Sequence, residues 1–468
     1  MNSLSLLLAS TSGNHSPPSF GVTLLFSGAL LLMVLALALE EKIHAKKSVI
    51  TGVAAVVSLL LGAAFGVLPF GPVVNIFGEK LALPVYIPAI DWGVITIILG
   101  ASLFVDVTSK SGLFTWIAIK LTKASGGDPW KLLFYYGSMT VLFSAVLNNV
   151  TAMLIVGSLS AVSLKRLERE RLLLGFLLIE GLLTNIGGLL TLISSVPNII
   201  VGNAAGIAFM QFFLVASPFV LVATIGTLLL GARRFEIPRL TDDAERLAAK
   251  KLVAGFDEND GIESQRFFWF SALLFGLFIV TLATTSVLPY IKDLGMGYVA
   301  LAFATIAVVR YKHEVDRFYK ALDWDLLIFF ASLFVVINVM EHAQVLALIG
   351  KGMGAVIGLG ERLGPGALLL ASAAASSVTD NIPLAAVLAK ILGAAPEPPA
   401  QAMWWAVVFG ANLGGNITPI GSASTVVAVT IMHKHSLGVG FVRFVRLALP
   451  FALAQLVLAT LYLALAVR

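Results

Sequence analysis

The sequence predicts an all-α polytopic membrane protein built from two inverted repeats, and three observations support this fold class. First, 58% of the 468 residues are hydrophobic and only 12% are charged, whereas soluble domains carry about 25% charged residues. Second, apolar windows of about 20 residues, long enough to cross the hydrocarbon core of a bilayer, recur along the chain. Third, several blocks of the first half return in the same order in the second half.

The distribution of basic residues predicts the topology. The cluster EEKIHAKK at 40–47 places the end of the first span, 21–39, in the cytoplasm, because cytoplasmic loops are rich in Lys and Arg. Continuing alternately, 25 of the 31 Lys and Arg residues fall in cytoplasmic segments. These segments are 40–47, 109–131, 165–171, 232–266, 310–322 and 433–446. We therefore expect about ten spans in the inner (plasma) membrane, with both termini outside.

The segment 132–164 has the pattern of a re-entrant hairpin. Lys131 precedes it and Lys165 follows it, so both of its flanks are cytoplasmic. A polar pair, Asn148-Asn149, lies at its middle. Two short full spans are the alternative, but they would leave the Asn pair near one face of the membrane.

A second stretch, 366–393, matches this hairpin, with Asp380-Asn381 at the equivalent positions, but both of its flanks lie outside. Two further blocks recur: DWGVITIILGASLFV (91–105) as DWDLLIFFASLFV (323–335), and NIGGLLTLISS (185–195) as NLGGNITPIGS (412–422), the latter with six of eleven positions identical. The same unit thus occurs twice in opposite orientations, which is typical of secondary transporters. The predicted segments are a tail and first span (1–47), repeat 1 (48–231), a cytoplasmic loop and linking span (232–295) and repeat 2 (296–467).

Two segments, 171–209 and 401–432, contain helix-breaking residues at their middle. Proline lacks an N–H group, and paired glycines weaken a helix further. In lipid, opened backbone survives only where protein or a water-filled cavity satisfies it, and the half-helix ends then attract ions. The breaking residues are Gly187, Gly188 and Pro197 in the first segment and Gly414, Gly415, Pro419 and Gly421 in the second.

We expect a substrate or ion site where the hairpin tips meet these breaks. The candidate binding residues are Asn148, Asn149, Thr151, Asn185, Thr191, Ser194, Ser195, Asn198, Asp380, Asn381, Asn412, Asn416, Thr418, Ser422, Ser424 and Thr425. Their side-chain oxygens are hard ligands of the kind that suit small cations. A bound Na⁺ is expected near Asn149, Ser195, Asp380 and Ser422. Alternatively, the glycines are packing contacts and the Ser and Thr residues bond their own helices.

Three acids fall within hydrophobic segments: Asp106, Glu180 and Asp380. An ionised acid at the bilayer centre costs about 2.5–3.5 kcal/mol on insertion scales, so such residues mark ion pathways or proton relays. Asp380, at a hairpin tip, is the first candidate for proton coupling and Glu180 the next. The alternative for Asp380 is a helix cap. Asp106 is expected to reach the cytoplasmic surface.

The sequence also excludes several functional classes. Because it contains no cysteine, disulfides, thiol catalysis and zinc–cysteine sites are excluded. It contains no metal-hydrolase spacing, Walker loop or nucleophile elbow, so we expect no enzymatic activity and no cofactor other than Na⁺ or H⁺ as a coupling ion. The net charge of +5 follows from the cytoplasmic basic residues and requires no nucleic-acid partner.

Three stretches, 111–155, 185–202 and 404–429, resemble the ion transporter superfamily, with its citrate-transporter-like domain. The branch most similar to them contains arsenite permeases, the melanosomal P protein and the D-type sodium/proton antiporters. The resemblance covers nearly the whole chain from about residue 25. It implies an inverted-repeat transporter, often dimeric, with sites at the hairpin tips and an elevator-like sliding of a transport domain against a scaffold.

Two departures from the P-protein-like pattern remove an acid from the first repeat. Members of that branch usually have Leu-Asp-Asn at the first tip, where this chain has LNN at 147–149. They also have Gly-Asp-Pro-Pro-Asn at the first break, where this chain has SSVPN at 194–198. The second repeat retains Asp380. A site with less negative charge holds Na⁺ less firmly and favours a neutral or anionic substrate.

The leading hypothesis is a secondary active transporter driven by an H⁺ or Na⁺ gradient. Cation/proton antiport is its first form, and transport of arsenite, another oxyanion or a dicarboxylate-like anion is the alternative. An ion channel is disfavoured because two occluding hairpins suit alternating access. The membrane subunit of an ATP-driven pump is a further alternative, since the loop 232–266 is too short to be an ATPase but can dock one. The expected partners are membrane lipid, the small substrate, a second copy in a homodimer and, in the pump alternative, a soluble ATPase.

Overall fold

The computed structural model describes residues 18–75, 77–357, 359–395 and 398–467. Most of them lie in helices. In chain order the helices are α1 (Phe20–Ala38), α2 (Glu40–Ile43), α3 (Lys47–Ala64), α4 (Trp92–Ser109), α5 (Leu113–Ser125), α6 (Pro129–Ser144), α7 (Asn149–Arg166), α8 (Leu173–Gly187), α9 (Val196–Ala204), α10 (Phe209–Arg234), α11 (Asp243–Ala254), α12 (Gln265–Thr284), α13 (Ile291–Arg310), α14 (Val315–Ala321), α15 (Trp324–His342), α16 (Val345–Ile357), α17 (Gly360–Ser376), α18 (Asn381–Gly393), α19 (Gln401–Gly414), α20 (Ala423–Lys434) and α21 (Phe441–Ala466). Strands β1 (Val73–Val74) and β2 (Lys80–Leu81) pair antiparallel between α3 and α4.

Eight helices in the described part of the chain are long and apolar enough to cross a membrane: α1, α3, α4, α10, α12, α13, α15 and α21. Their outward faces carry exposed leucines, for example Leu31 and Leu32 on α1, as expected of helices that contact lipid. The predicted all-α membrane fold is therefore confirmed. The interrupted segments, α8–α9 and α19–α20, are built from shorter helices. The count of about ten spans, which includes them, stays a prediction.

The chain divides into two compact units, and their boundaries differ from those of the predicted repeats. Unit 1 contains Trp324–Ala355 together with the chain up to Trp92, and unit 2 contains Gly93–Asp323 and Val356–Arg468. Each repeat thus contributes one stretch to unit 1. Within unit 1, α3 packs against α15, and the hydroxyl of Ser48 donates a hydrogen bond to the carboxylate of Asp325. All predicted binding residues belong to unit 2.

The segment predicted as the first hairpin consists of α6 and α7, joined by a short turn. Asn148 caps α7, because its Oδ1 accepts a hydrogen bond from the Thr151 N–H at 2.7 Å. The helices have 16 and 18 residues, or about 24 and 27 Å at 1.5 Å per residue. The longer of the two is as long as α3 and α4, which are counted as spans, so the re-entrant position of this hairpin stays a prediction.

The second hairpin consists of α17 and α18, and it is built in the same way. Asp380 caps α18, and its Oδ1 accepts a hydrogen bond from the Ile382 N–H at 2.9 Å. Pro383 lies in the first turn of α18, where a missing N–H group leaves no helix bond unmade. This hydrogen bond is the helix cap named above as the alternative to proton coupling by Asp380.

The loop between α10 and α12, predicted to be cytoplasmic, is folded onto the base of the first hairpin. Asp128, which caps α6, accepts a second hydrogen bond from the Leu240 N–H at 2.9 Å. Arg166, at the end of α7, donates to the Gly255 carbonyl at 3.1 Å. Glu258 in this loop forms ion pairs with Lys120 and Lys123 on α5. The loop thereby contacts both legs of one hairpin.

Candidate functional site

Each hairpin lies directly against the end of the broken helix of its own repeat. A Cβ atom added at Gly187 would be 2.6 Å from the carbonyl oxygen of Val141 on α6. At the equivalent Gly414 it would be 2.4 Å from the carbonyl oxygen of Ala373 on α17. Neither position has room for a side chain. The packing role predicted for these glycines therefore has the same physical basis in both repeats.

Two hydrogen bonds join each hairpin to the broken helix of its repeat, and each bond has an equivalent in the other repeat. They are Ser144 Oγ to the Thr184 carbonyl and Ser376 Oγ to the Ala411 carbonyl, both 2.6 Å, and Thr191 Oγ1 to the Ala145 carbonyl and Thr418 Oγ1 to the Ser377 carbonyl. All four donor side chains are buried. The four acceptor carbonyls lie near the ends of α6, α8, α17 and α19, and the Thr184 carbonyl also accepts from the Gly188 N–H at 2.8 Å.

The first hairpin tip and both broken helices meet at Asn185, whose side chain is 1% exposed. Its Nδ2 donates to Ser422 Oγ at 2.9 Å and to Asn416 Oδ1 at 2.8 Å, both in the second repeat. Its Oδ1 accepts from Ser424 Oγ at 3.2 Å and from Asn149 Nδ2 at 3.4 Å. We call Asn149, Asn185, Ser422 and Ser424 site 1.

The equivalent cluster in the second repeat is centred on Asn412, which is fully buried. Its Oδ1 accepts from Ser195 Oγ at 2.8 Å and its Nδ2 donates to Asn198 Oδ1 at 2.9 Å. Asn381 occupies the position equivalent to Asn149, but its side chain forms no hydrogen bond within the described ranges. We call Ser195, Asn198, Asn381 and Asn412 site 2. In both sites, a serine at the start of one repeat's half-helix bonds an asparagine of the other repeat.

Two polar residues that the sequence analysis did not select extend site 1 toward α21. Asn416 Nδ2 donates to Gln455 Oε1 at 2.8 Å, and Gln455 Nε2 donates to Thr227 Oγ1 at 3.0 Å. Both residues are buried. Gln455 is the single amide in the apolar 26-residue helix α21, and an isolated polar side chain in a spanning helix is the signal that identifies it.

The remaining predicted residues shape the breaks and tips. Ser194 Oγ and Asn198 Nδ2 both donate to the Gly188 carbonyl at 2.6 Å, which satisfies opened backbone in the first break. In the second break, Thr425 forms a reciprocal capping box with Ser422. Gly188 and Gly421 are also sterically required.

A Cβ atom at Gly188 would lie 2.9 Å from Asn149 Nδ2, and one at Gly421 would lie 3.0 Å from the Cα of Gly415. Asn148 is exposed at the first tip, and Thr151 is half-buried behind it. Of the predicted coupling acids, Asp380 is half-buried at the second tip. Glu180 instead bonds Ser160 on α7. Asp106 pairs with Lys110 at 3.0 Å, consistent with its expected position near the cytoplasmic surface.

Sites 1 and 2 are built from amides and hydroxyl groups, and Asp380 precedes Asn381 of site 2 in the chain. Within the described ranges no group of three or more His, Cys, Asp or Glu side chains is arranged to hold a metal ion. The starts of α7, α9 and α20 all take part in the two clusters through Asn149, Ser195 and Ser422. Helix starts carry a partial positive charge and offer N–H groups, so these ends favour negative charge.

Residues 34–410 match the citrate transporter (CitMHS) family. The chain belongs to this family. As a CitMHS protein, it is 26% identical over 439 residues to a 46 kDa membrane protein of Mycobacterium leprae, with 93% of this chain and 96% of that protein covered. It is 29% identical over 382 residues to an uncharacterized transporter of Mycobacterium tuberculosis, with 80% and 86% covered. It is also 24% identical to the human P protein, where 91% of this chain but 60% of that protein is covered. The resemblance to the ion transporter superfamily is therefore confirmed.

Two solved structures show the same fold at 16% sequence identity. The YdaH transporter of Alcanivorax borkumensis has a TM-score of 0.57, with 95% of this chain and 97% of that chain covered. MtrF of Neisseria gonorrhoeae has a TM-score of 0.53, with 99% and 97% covered. The CitMHS protein is a multi-pass membrane transporter.

Proposed function

We propose that this CitMHS protein is a secondary active transporter that binds a small anion, of the carboxylate or oxyanion class, between the hairpin tips and sites 1 and 2. The proposal depends on one observation: the first turns of α7, α9 and α20 contact the uncharged amide side chains of Asn185 and Asn412. Asn185 joins the starts of α7 and α20, and Asn412 joins the start of α9. The amide donors of Asn185 and Asn412 bond protein partners in this structure. A carboxylate would take the place of some of these partners, at helix starts whose partial positive charge favours an anion without a lysine or arginine. The family's description as citrate transporters supports the same substrate class.

Cation/proton antiport is the second candidate, and Asp380 favours it. The carboxylate lies at the second hairpin tip, and amide and hydroxyl oxygens such as those of Asn149, Ser195 and Ser422 are hard ligands for Na⁺. In this candidate Na⁺ and a proton compete for the same carboxyl group. The two candidates differ in the species whose transport is coupled to the proton gradient: an anion in the first and a cation in the second.

Purified protein in liposomes separates the candidates. With an imposed pH gradient and no ATP, we expect uptake of a labelled carboxylate such as citrate, or of arsenite, with no proton flux on addition of Na⁺ or Li⁺ alone. Proton flux driven by Na⁺ or Li⁺ without anion uptake would establish the antiport candidate instead. A requirement for ATP would overturn both and favour the pump subunit. The Gly226→Leu variant is a matched control, because a Cβ atom there meets no atom within 4 Å.

Elevator-like movement, the homodimer, the inner-membrane location and the outward orientation of the termini stay predictions. Inverted repeats support alternating access in general, since exchanging the conformations of the two repeats exposes the site to opposite sides. Labelling of Lys131 and Lys165 from opposite sides of the membrane would contradict the topology on which the orientation depends.

A further inference from the structure

Glu180 is a buried carboxyl group that neither site uses. It lies on α8, about one and a half turns before Asn185, and it is fully buried. Its Oε1 accepts a hydrogen bond from the Ser160 hydroxyl on α7, whereas its Oε2 has no hydrogen-bond partner in the described part of the chain. Removing an isolated carboxylate from water costs several kcal/mol, so a carboxyl group in these surroundings is favoured in its neutral, protonated form.

Buried hydroxyl groups lead from Glu180 toward the cytoplasmic segment 109–131. Ser163 lies one turn after Ser160 on the same face of α7, and its Oγ is 2.7 Å from the Tyr136 hydroxyl. The Tyr136 hydroxyl is also 2.6 Å from Thr122 Oγ1 on α5. All of these side chains are 0% exposed. Hydroxyl groups both donate and accept hydrogen bonds, so Ser163, Tyr136 and Thr122 can pass a proton among them. The step from Ser160 to Ser163, one helical turn apart and without a hydrogen bond between them, requires one bridging water.

Tyr136, on α6, is the titratable side chain that faces Glu180 from the packed helices. The other titratable or charged residues on elements packed against α8 lie near helix ends or outside this row. They are Lys131 and Tyr135 on α6, Lys165 and Arg166 on α7, Glu170 and Arg171 before α8, Arg233 and Arg234 on α10, and His433 and Lys434 on α20. Apart from half-buried Tyr135, these side chains are exposed. α19 carries no titratable residue.

We propose that Glu180 is a proton-binding site, separate from sites 1 and 2, that exchanges its proton with the cytoplasm through Ser160, Ser163, Tyr136 and Thr122. When the carboxyl group releases its proton, Ser160 passes a proton to Ser163 through a bridging water, and each further hydroxyl accepts one proton and passes one on. Water that enters beside Thr122, which is fully buried in this structure, receives the proton, and the row is restored. A negative charge on Glu180 then lies between α8 and the first hairpin. Protonation thereby couples to the packing of that hairpin, whatever the substrate.

Infrared spectroscopy of the purified protein tests this without any transport assay. The spectrum of the wild type minus that of Glu180→Gln should contain the carbonyl band of a protonated, buried carboxyl group. After transfer to deuterated water, the shift of this band should be about tenfold or more slower in Tyr136→Phe and Ser163→Ala, which corresponds to about 1.4 kcal/mol of added barrier. Tyr135→Phe, which alters the neighbouring half-buried tyrosine, should exchange like the wild type.

Absence of the carbonyl band from the difference spectrum would overturn the proton-binding site. Exchange at the wild-type rate in both Tyr136→Phe and Ser163→Ala would overturn the route. A thermal-unfolding measurement on each variant excludes global disruption as the cause, and two independent variants of the row guard against misfolding of either one. Failure of anion uptake in liposomes leaves these spectra unaffected, so the failure of the proposed function and of this inference are distinguishable.

Discussion

Sites 1 and 2 occupy equivalent positions in the two repeats, yet within the described ranges only site 1 has its hairpin-tip asparagine hydrogen-bonded to the rest of the site. In site 1, Asn149 bonds both Ser144 at 2.6 Å and Asn185 at 3.4 Å. In site 2, the Asn381 side chain forms no hydrogen bond within the described ranges, although the bonds of Ser376 and Thr418 that attach its hairpin are the same as in repeat 1. The repeats thus share their internal attachments and differ at the tips.

A second difference is found at the base of the hairpins. The loop between α10 and α12 holds the first hairpin through Asp128 and Arg166, and the described residues around the second hairpin show no corresponding loop. Two copies of one unit in different local states are what alternating access requires, because each copy adopts in turn the state of the other. We therefore expect the shared bonds to hold the architecture and the unshared ones to change during transport.

The largest effect is expected from the shared glycines. Gly187→Leu and Gly414→Leu should each abolish transport, since added atoms would meet carbonyl oxygens at 2.6 and 2.4 Å. Overpacking of this kind costs about 1–3 kcal/mol of stability. Uptake and thermal unfolding measure both effects, with Gly226→Leu as the control. An active Gly414→Leu beside an inactive Gly187→Leu would show that the repeats are not equivalent in packing.

The second-largest effect is expected at the helix caps of the two hairpins, because Asn148 and Asp380 occupy equivalent positions and differ in charge. Asp380→Asn should fold and insert, since Asn and Asp cap helices about equally well. It should lose proton-coupled transport while exchange of substrate across the membrane persists. Uphill and exchange uptake over a range of pH measure the difference, and Asn148→Asp is the reciprocal variant. Uphill transport with an unchanged pH profile in Asp380→Asn would mean that the carboxylate is structural.

A smaller effect separates the two tip asparagines. Asn149→Ala should lower the free energy of unfolding by about 1 kcal/mol, because it removes the bonds to Ser144 and Asn185. Asn381→Ala should leave stability unchanged and lower substrate affinity. Chemical or thermal unfolding of both variants checks this, with exposed Gln211→Ala as the control. Equal destabilisation at the two tips would remove the asymmetry between sites 1 and 2.

The smallest effect concerns the loop that holds the first hairpin. Hydrogen bonds from Lys123 and Lys120 lower the pKa of Glu258 from 4.5 to about 2. Since the pKa is lowered in the folded state, this stabilisation is present above the unfolded pKa and is lost as the pH falls toward 2.

Near neutral pH, Glu258→Gln should therefore unfold at a slightly lower temperature than the wild type. This difference in unfolding temperature should disappear in acid and in high salt. Thermal unfolding at several pH values measures it, with exposed Glu263→Gln as the control. If the difference in unfolding temperature persists in acid, the Glu258 ion pairs are not its cause, and other contacts hold the loop.

The sequence alone determined the membrane fold and the helix breaks, and it predicts the re-entrant hairpins. Each follows from a local property: the run of apolar residues, the basic flanks of 132–164, or a glycine pair such as Gly187-Gly188 that weakens a helix wherever it occurs. The recurrence of NIGG as NLGG also showed that the two halves are related, and thereby where equivalent residues lie.

The tertiary structure decided which of these residues meet. Asn185 bonds Ser422 and Asn412 bonds Ser195, partners that are 237 and 217 positions apart, and neither pairing follows from local pattern. The same holds for Gln455, which completes site 1 from the last helix, and for Glu180, whose burial and bond to Ser160 depend on how α7 packs against α8. Hydrogen bonds between helices depend on the rotation and depth of each helix, which are set by packing across the whole unit and not by the residues that form the bond.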